Sequence, residues 1–259
     1  MITLKKDYEL VYMRKAGQIV AEVLMGLNER IKPGVSTLDI DEWAEECIRS
    51  QGATPSEKGY KVPGIATPYP SSICASINNE VVHGIPNKNR VLNEGDIVSV
   101  DLMACFEGYH GDAAFTYPVG EISDSRKKLL SVTRKSLGLG ISQARSGNTV
   151  GDIGYAVERY VTENNFGVVR DYTGHGLGKH QHEPPQIPNF GRPGRGVTLK
   201  AGMTIAIEPM VMTGKEEVVS GPDGWVVLTA DGSDAAHFEK TVLITEDGAE
   251  ILTPWELPE

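Results

Sequence analysis

Leu92-Asn-Glu-Gly-Asp-Ile-Val-Ser-Val-Asp101 returns later in the chain as Leu199-Lys-Ala-Gly-Met-Thr-Ile-Ala-Ile-Glu208. Leu92 meets Leu199, Gly95 meets Gly202, Val98 meets Ile205 and Asp101 meets Glu208, all at an offset of 107. A second match lies upstream. Lys32-Pro-Gly-Val-Ser-Thr-Leu-Asp-Ile40 lines up with Arg145-Ser-Gly-Asn-Thr-Val-Gly-Asp-Ile153 at an offset of 113. Either match alone could arise because glycine-rich turns before strands look alike. Two matches in the same order, at nearly the same offset, point to a duplicated unit. With only two copies the chain is not a solenoid, and two half-domains related by an approximate twofold axis are expected.

Hydrophobic spacing fills in each copy. Leu10, Val11, Ile19, Val20, Val23, Leu24 and Leu27 predict a helix over Asp7 to Arg30. A second helix is expected over Leu38 to Arg49, with Ser36 or Thr37 as its N-cap and Gly52 beyond its end. Arg126 to Arg145 and Val150 to Asn164 read as their counterparts. Strands are expected over Ile97 to Phe106 and Ala114 to Val119, flanking a Glu107-Gly108 turn. Further strands are expected over Met203 to Val211, Val218 to Val219, Trp225 to Leu228 and His237 to Thr245. Helix, helix, strands therefore occurs twice. The expected class is α/β (α+β), one domain over residues 1–259 with half-repeats near 10–120 and 125–250.

Composition narrows the function. The chain has 259 residues, 40% hydrophobic and 23% charged, as an ordinary globular protein does. Its net charge of -10 disfavours phosphate-backbone binding as the main function. No apolar run reaches the length of a membrane span, of about 18 residues. The N-terminal stretch lacks the apolar core and cleavage site of a signal peptide. Three cysteines, at 47, 74 and 105, make no disulfide framework, and a reducing cytoplasm is expected.

The repeat has a chemical consequence. Asp101 and Glu208 each end an apolar strand of matching sequence. A carboxylate there is costly unless it is paired or bound to a metal. If Glu107-Gly108 is a two-residue turn, Asp101 faces Ala114 and Met103 faces Asp112, so Asp101 and Asp112 share one face. Taken alone, Asp112 reads equally as a turn residue after Gly111, and Glu239 as an outward charge beside Lys240. His175 lies among small residues in Thr173-Gly-His-Gly-Leu-Gly178, which implies close approach of backbone to a ligand. His83 and His182 lie in Val81-Val-His-Gly-Ile-Pro86 and Gln181-His-Glu-Pro-Pro185, while His110, His180 and His237 read as loop residues without a role. Four carboxylates and one histidine make a hard, oxygen-rich set suited to Mn, Fe, Co or Zn. Two such ions ~3.5–4 Å apart can share bridging carboxylates. No CxxC, HExxH, GxSxG or P-loop pattern is present.

The order His83-Gly-Ile-Pro, Asp101, Gly111-Asp112, Thr173-Gly-His175-Gly-Leu-Gly178, His182-Glu, Ile207-Glu208-Pro209 and Phe238-Glu239 closely resembles the type I methionine aminopeptidases. The resemblance runs from the first helix to Ile251-Leu-Thr253. It implies the pita-bread fold, with a central, mostly antiparallel sheet covered by helices. It also implies removal of the initiator methionine from nascent polypeptides when the next residue is small.

Carried over position by position, the resemblance implies two divalent ions (Co, Mn, Fe or Zn). Asp101 would hold one ion alone. Asp112 and Glu239 would bridge the pair, and His175 and Glu208 would complete the ligands of the second ion. A metal-bridging water would attack the scissile carbonyl, with Glu208 as proton acceptor and donor. His182 would bond the carbonyl oxygen as it gains charge. His83 would contact the scissile amide nitrogen or the next peptide unit. The substrate's free amine would bind a metal. Cys74, Tyr69 and Trp225 would line the methionine pocket, with Tyr60 as a further wall. Against the family pattern, Lys61 to Pro68 reads as an insertion, and Gln181 replaces a bulky apolar residue.

The expected partners are nascent N-termini, with transient ribosome contact through the domain's own surface, no nucleic-acid or membrane binding, and a monomeric state. Two other readings keep the same residues. One is a proline-directed aminopeptidase or dipeptidase of the same fold, which usually carries a separate N-terminal domain. The other is a catalytically silent peptide-binding homologue.

Overall fold

The second helix of each repeat opens with the same cap. The Asp39 carboxylate accepts the Ser36 backbone N–H at 3.0 Å, and the Asp152 carboxylate accepts that of Thr149 at 2.7 Å. Both satisfy a donor the first helical turn leaves free. In a computed structural model describing residues 2–257, the first half holds α1 (Asp7–Leu27), α2 (Thr37–Ser50), β1 (Thr54–Pro55), β2 (Cys74–Ile77), β3 (Glu80–Val82), β4 (Ile97–Phe106) and β5 (Tyr109–Pro118). There follow α3 (Asp124–Gln143), α4 (Val150–Glu163), β6 (Gly167–Val168), β7 (Gly174–Gly176), β8 (Glu183–Ile187), β9 (Thr204–Ile207) and β10 (Met210–Met212). The last strands are β11 (Val218–Ser220), β12 (Val227–Thr229), β13 (Ala235–His237), β14 (Lys240–Ile244) and β15 (Ala249–Ile251). The ends of the expected 1–259 domain, residues 1 and 258–259, lie outside the described residues.

The repeat is visible as matched bonds. Gly34 N–H donates to Leu92 O at 2.8 Å, and Gly147 N–H to Leu199 O at 3.1 Å. Isolated antiparallel bridges join Ser36 to Val91 and Thr149 to Thr198. These pairs are related by the two offsets read from the sequence. Gly34 and Gly147 both have φ of 91°, a left-handed conformation that a side chain would disfavour.

β4 and β5 pair without interruption from Ile97↔Pro118 to Phe106↔Tyr109. They turn at Glu107 (φ 50°) and Gly108 (φ 80°), two left-handed residues as a tight hairpin of matching twist needs. β5 thus starts well before the expected Ala114. In the second half the expected continuous strands are each broken in two. β9 and β10 are separated by Glu208-Pro209, and their antiparallel partners β14 and β13 by Phe238-Glu239. Pro209 has no N–H to give to a ladder. The interruption falls at the same level on both partners and frees Glu208 and Glu239 from strand geometry.

All strand pairings among the described residues are antiparallel, in four hydrogen-bonded groups. The groups are joined at the centre by Glu239 N–H to Ala114 O at 3.0 Å, and by the Thr241 hydroxyl to Asp112 O at 2.8 Å. One apolar core runs through both halves, with Leu24, Ile40, Ile97 and Leu102 from the first and Ile153, Val157, Ile205 and Ile207 from the second. α1 lies directly on β5. A Cβ on Gly111 would sit 2.5 Å from the Gly17 nitrogen, so backbone meets backbone beside Asp112.

Candidate metal centre

The β4–β5 register sets Asp101 opposite Ala114 and Asp112 opposite Met103. With no bulge, both carboxylates leave the same face. Cys74 of β2 is the neighbour of Asp101 on the other side. Asp112 is therefore a strand residue, 4% exposed, and not part of a turn. Glu239 is 2% exposed and does not point outward beside Lys240. The gap after β9 brings Glu208 to the same place.

His175 completes the group. Its Nδ1 is 2.9 Å from Gly176 O, which accepts the ring proton and leaves the Nε2 lone pair free. Nε2 lies 3.5 Å from an Asp112 oxygen and 3.6 Å from a Glu208 oxygen. Three acceptors face one another there, which a cation satisfies. The neighbouring glycines serve a different purpose from the one expected. A Cβ on Gly174 would be 2.3 Å from Ala206 O, and one on Gly176 2.5 Å from Pro184 O. The close approach these glycines allow here is to adjacent backbone.

Burial dominates the electrostatics. It raises Asp101, Glu208 and Glu239 well above the usual carboxylate range, and neighbouring carboxylates add to the shift. Asp112 is pushed up to about 8 by burial. His175 is lowered to about 4 by burial and is neutral at pH 7. Ligand atoms of Asp112, His175 and Glu239 lie within 4.8 Å of one another, as do those of Glu57, Asp101 and Asp112. Glu239 Oε1 is buried with no hydrogen-bond partner. Asp112 belongs to both groups. This donor set fits divalent cations, which would relieve the repulsion and satisfy the orphaned oxygen.

A cavity of about 340 Å³ opens from this cluster. Tyr69, Cys74 and Trp225 are buried together on its apolar side, with Tyr60, Val62 and Ile65 packed against them. The 61–68 segment therefore forms pocket wall, and Thr67 O accepts the Trp225 indole N–H at 3.1 Å. Gln181 also lines the cavity, and its side-chain amide donates to Ser56 O. His182 stands at the rim, 4.3 Å from His175 between ring centroids. Its Nδ1 is 2.8 Å from the Tyr60 hydroxyl. With Tyr60 donating, the single proton of a neutral imidazole sits on Nε2, facing the cavity as a donor. Burial lowers His182 to about 4, so it is neutral near pH 7. His83 has φ of 61°, a strained backbone for a non-glycine residue, and its ring packs edge-on to Trp225 and Tyr172.

The structure thus brings together Asp101, Asp112, His175, Glu208, Glu239, His83, His182, Cys74, Tyr69, Tyr60 and Trp225. Two other residues join them without a sequence signal. Glu57 lines the cavity. His237 is not a loop residue: it ends β13, is 1% exposed, and holds Nε2 without a hydrogen-bond partner, 3.9 Å from Glu208. His110 also lies in a strand, its Nδ1 3.0 Å from Gly178 O.

Comparison with known proteins agrees with this centre. The model of metallopeptidase family M24 matches residues 11–246. The methionine aminopeptidase of Clostridium acetobutylicum is 52% identical over 98% of this chain and 99% of its own. Methionine aminopeptidase 1 of Bacillus subtilis is 51% identical over the same shares. The crystal structure of methionine aminopeptidase from Thermotoga maritima superposes with a TM-score of 0.95 at 46% identity, covering 99% of this chain and all of that one. With its carboxylates and histidine gathered as a metal site and its likeness running end to end, this chain belongs to metallopeptidase family M24, among the methionine aminopeptidases.

Proposed function

We propose that this chain is a dinuclear metallohydrolase that removes the N-terminal methionine from polypeptides whose second residue is small. The observation that carries the reading is the convergence of Asp101, Asp112, His175, Glu208 and Glu239 on one cavity whose far side is apolar. When bound, two divalent cations drawn from Mn, Fe, Co or Zn polarise the scissile carbonyl and supply a nucleophile at neutral pH. Asp101 would hold one ion, His175 and Glu208 the other, and Asp112 and Glu239 would serve both. The substrate's free amine would be held at this centre, which would restrict cleavage to the first residue. Glu208 accepts a proton during attack and returns it to the departing amine.

His182 presents Nε2–H to the carbonyl oxygen as negative charge grows there, and Tyr60 holds that ring in place. His83, its ring packed on Trp225, faces the scissile amide or the next peptide unit. Tyr69, Cys74 and Trp225 enclose the thioether. The unit is a single catalytic domain, working as a monomer in the cytoplasm on emerging N-termini, with transient ribosome contact through its own surface. Its three free cysteines support a reducing compartment.

The test is hydrolysis of Met-Ala-Ser against Xaa-Pro peptides, after chelation and after re-addition of each metal. The expected result is metal-dependent release of methionine. Preference for Xaa-Pro peptides, or turnover untouched by chelation, would overturn the reading.

A further inference from the structure

Glu57 is a cavity-lining carboxylate that the mechanism above leaves unused. β1 runs antiparallel to β4 through Thr54↔Cys105 and Pro55↔Ala104, and Ser56 N–H then bonds Met103 O at 2.9 Å. That path carries the chain along β4 toward Asp101 and delivers Glu57 to the centre. Its Oε2 is buried without a hydrogen-bond partner. The neighbouring Lys58 is turned away and bonded to Glu45 at 2.6 Å. The charges that face Glu57 are the carboxylates of Asp101 and Asp112. One oxygen from each of these three acids lies within 4.8 Å of the others. Two oxygens bound to one ion at about 2.2 Å each can stand up to about 4.4 Å apart, so a small adjustment lets one cation take all three.

We propose that Glu57 is an additional ligand for the cation on the Asp101 side of the centre. The inference rests on the two-cation reading above and deepens it. The two subsites then differ in kind. The Asp112–Glu239–Glu208 side includes the His175 imidazole, whereas the Asp101 side presents oxygen alone. An oxygen-only set of carboxylates suits a hard ion such as Mn²⁺ and gives Zn²⁺ less of an advantage than a set that includes imidazole. Binding also removes an inconsistency from the pocket. A free carboxylate near Tyr69 and Cys74 would have to give up its hydration when a thioether enters, and one neutralised by a cation does not.

The experiment compares wild-type apoprotein with Glu57→Gln, titrated with Mn²⁺ and with Zn²⁺ by calorimetry and followed by electron paramagnetic resonance of bound Mn²⁺. The wild type should take up two Mn²⁺ and give the signal of a coupled pair. The variant should keep one tight ion, bind the second at least ~10-fold more weakly, and lose the coupled signal at equal loading. Its loss for Zn²⁺ should be smaller. Circular dichroism checks the fold, and Glu57→Asp serves in the same way should the glutamine variant fail to fold. Two Mn²⁺ bound by the variant with wild-type affinities would overturn the assignment of Glu57 while leaving the two-cation reading intact. Uptake of fewer than two Mn²⁺ by the wild type would overturn both.

Discussion

Removing the metals should make this protein less stable as pH rises through neutrality, the reverse of what most acidic proteins do. The carboxylates of the centre are raised by burial, Asp112 to about 8 from an ordinary 3.8. A carboxylate raised in the folded state holds a proton there that the unfolded chain has already lost. Its contribution is complete below the unfolded value and fades as pH climbs through the folded one. The buried histidines act in the opposite direction, but mainly at lower pH. His83, His175 and His182 are lowered to about 4 and His237 to about 3, so their effect fades as the unfolded chain loses its imidazole protons through 6.5 and is gone about one pH unit above it. Lys240, lowered to about 8 by burial, begins to oppose the trend only above that pH.

Between pH 6.5 and 8 the five raised carboxylates, Glu57, Asp101, Asp112, Glu208 and Glu239, outweigh the remaining histidine contribution and decide the sign. One proton excess amounts to about 1.4 kcal/mol per pH unit, so Asp112 alone contributes a fall of about 2 kcal/mol across the window. At roughly 2–4 °C per kcal/mol for a chain of this size, Tm should drop by about 4–8 °C. The assay is thermal unfolding of chelator-treated protein at constant ionic strength. The Asp112→Asn variant, neutral throughout, should show a flatter slope by one proton. Protein loaded with Mn²⁺ should show the opposite slope, because ligands must lose their protons to bind. A wild-type apo Tm that stays level or rises from pH 6.5 to 8 would refute the reasoning, as would equal slopes for wild type and Asp112→Asn.

His182→Ala should retain both metals by elemental analysis but lose about 10²–10³-fold in turnover, the loss of one donor to the developing oxyanion; loss of metal instead would place His182 among the ligands. Tyr60→Phe removes the 2.8 Å bond to His182 Nδ1. At about 1 kcal/mol it should lower kcat about 5-fold with metal content unchanged, and a kcat equal to wild type would remove Tyr60 from the positioning of His182. Gly17→Ala would set a Cβ 2.0 Å from Leu252 O. α1 must then move off its bed, which should cost about 2–3 kcal/mol in urea unfolding, and a loss under about 0.5 kcal/mol would mean the helix is not so tightly seated.

Much of the centre is legible in local sequence because it obeys short-range rules. The alternation of side chains along a strand and a two-residue Glu107-Gly108 turn suffice to put Asp101 and Asp112 on one face. The repeat likewise foretells the paired bonds of Gly34 and Gly147, since like turns close like strands. Where long-range contacts take over, the reading fails. The glycines around His175 seemed to await a ligand but admit the backbone of Ala206 and Pro184. The strands drawn through Glu208 and Glu239 are broken at the same level, because Pro209 has no N–H to give the ladder and the Glu239 N–H turns to Ala114 O of the other half.

What the sequence determined by itself is the duplicated frame, the β4–β5 hairpin and the identities of the acids and histidine that gather as candidate metal ligands. Only the tertiary structure decided that Glu57 and His237 belong beside them and that residues 61–68 wall the pocket. The reason is physical. No periodicity or motif marks an isolated Glu57, which reaches Asp101 only because a two-residue strand pairs with β4 and steers the chain inward. Such pairing depends on the assembled sheet, and its effect on a carboxylate, burial without a partner, exists only once the halves have closed.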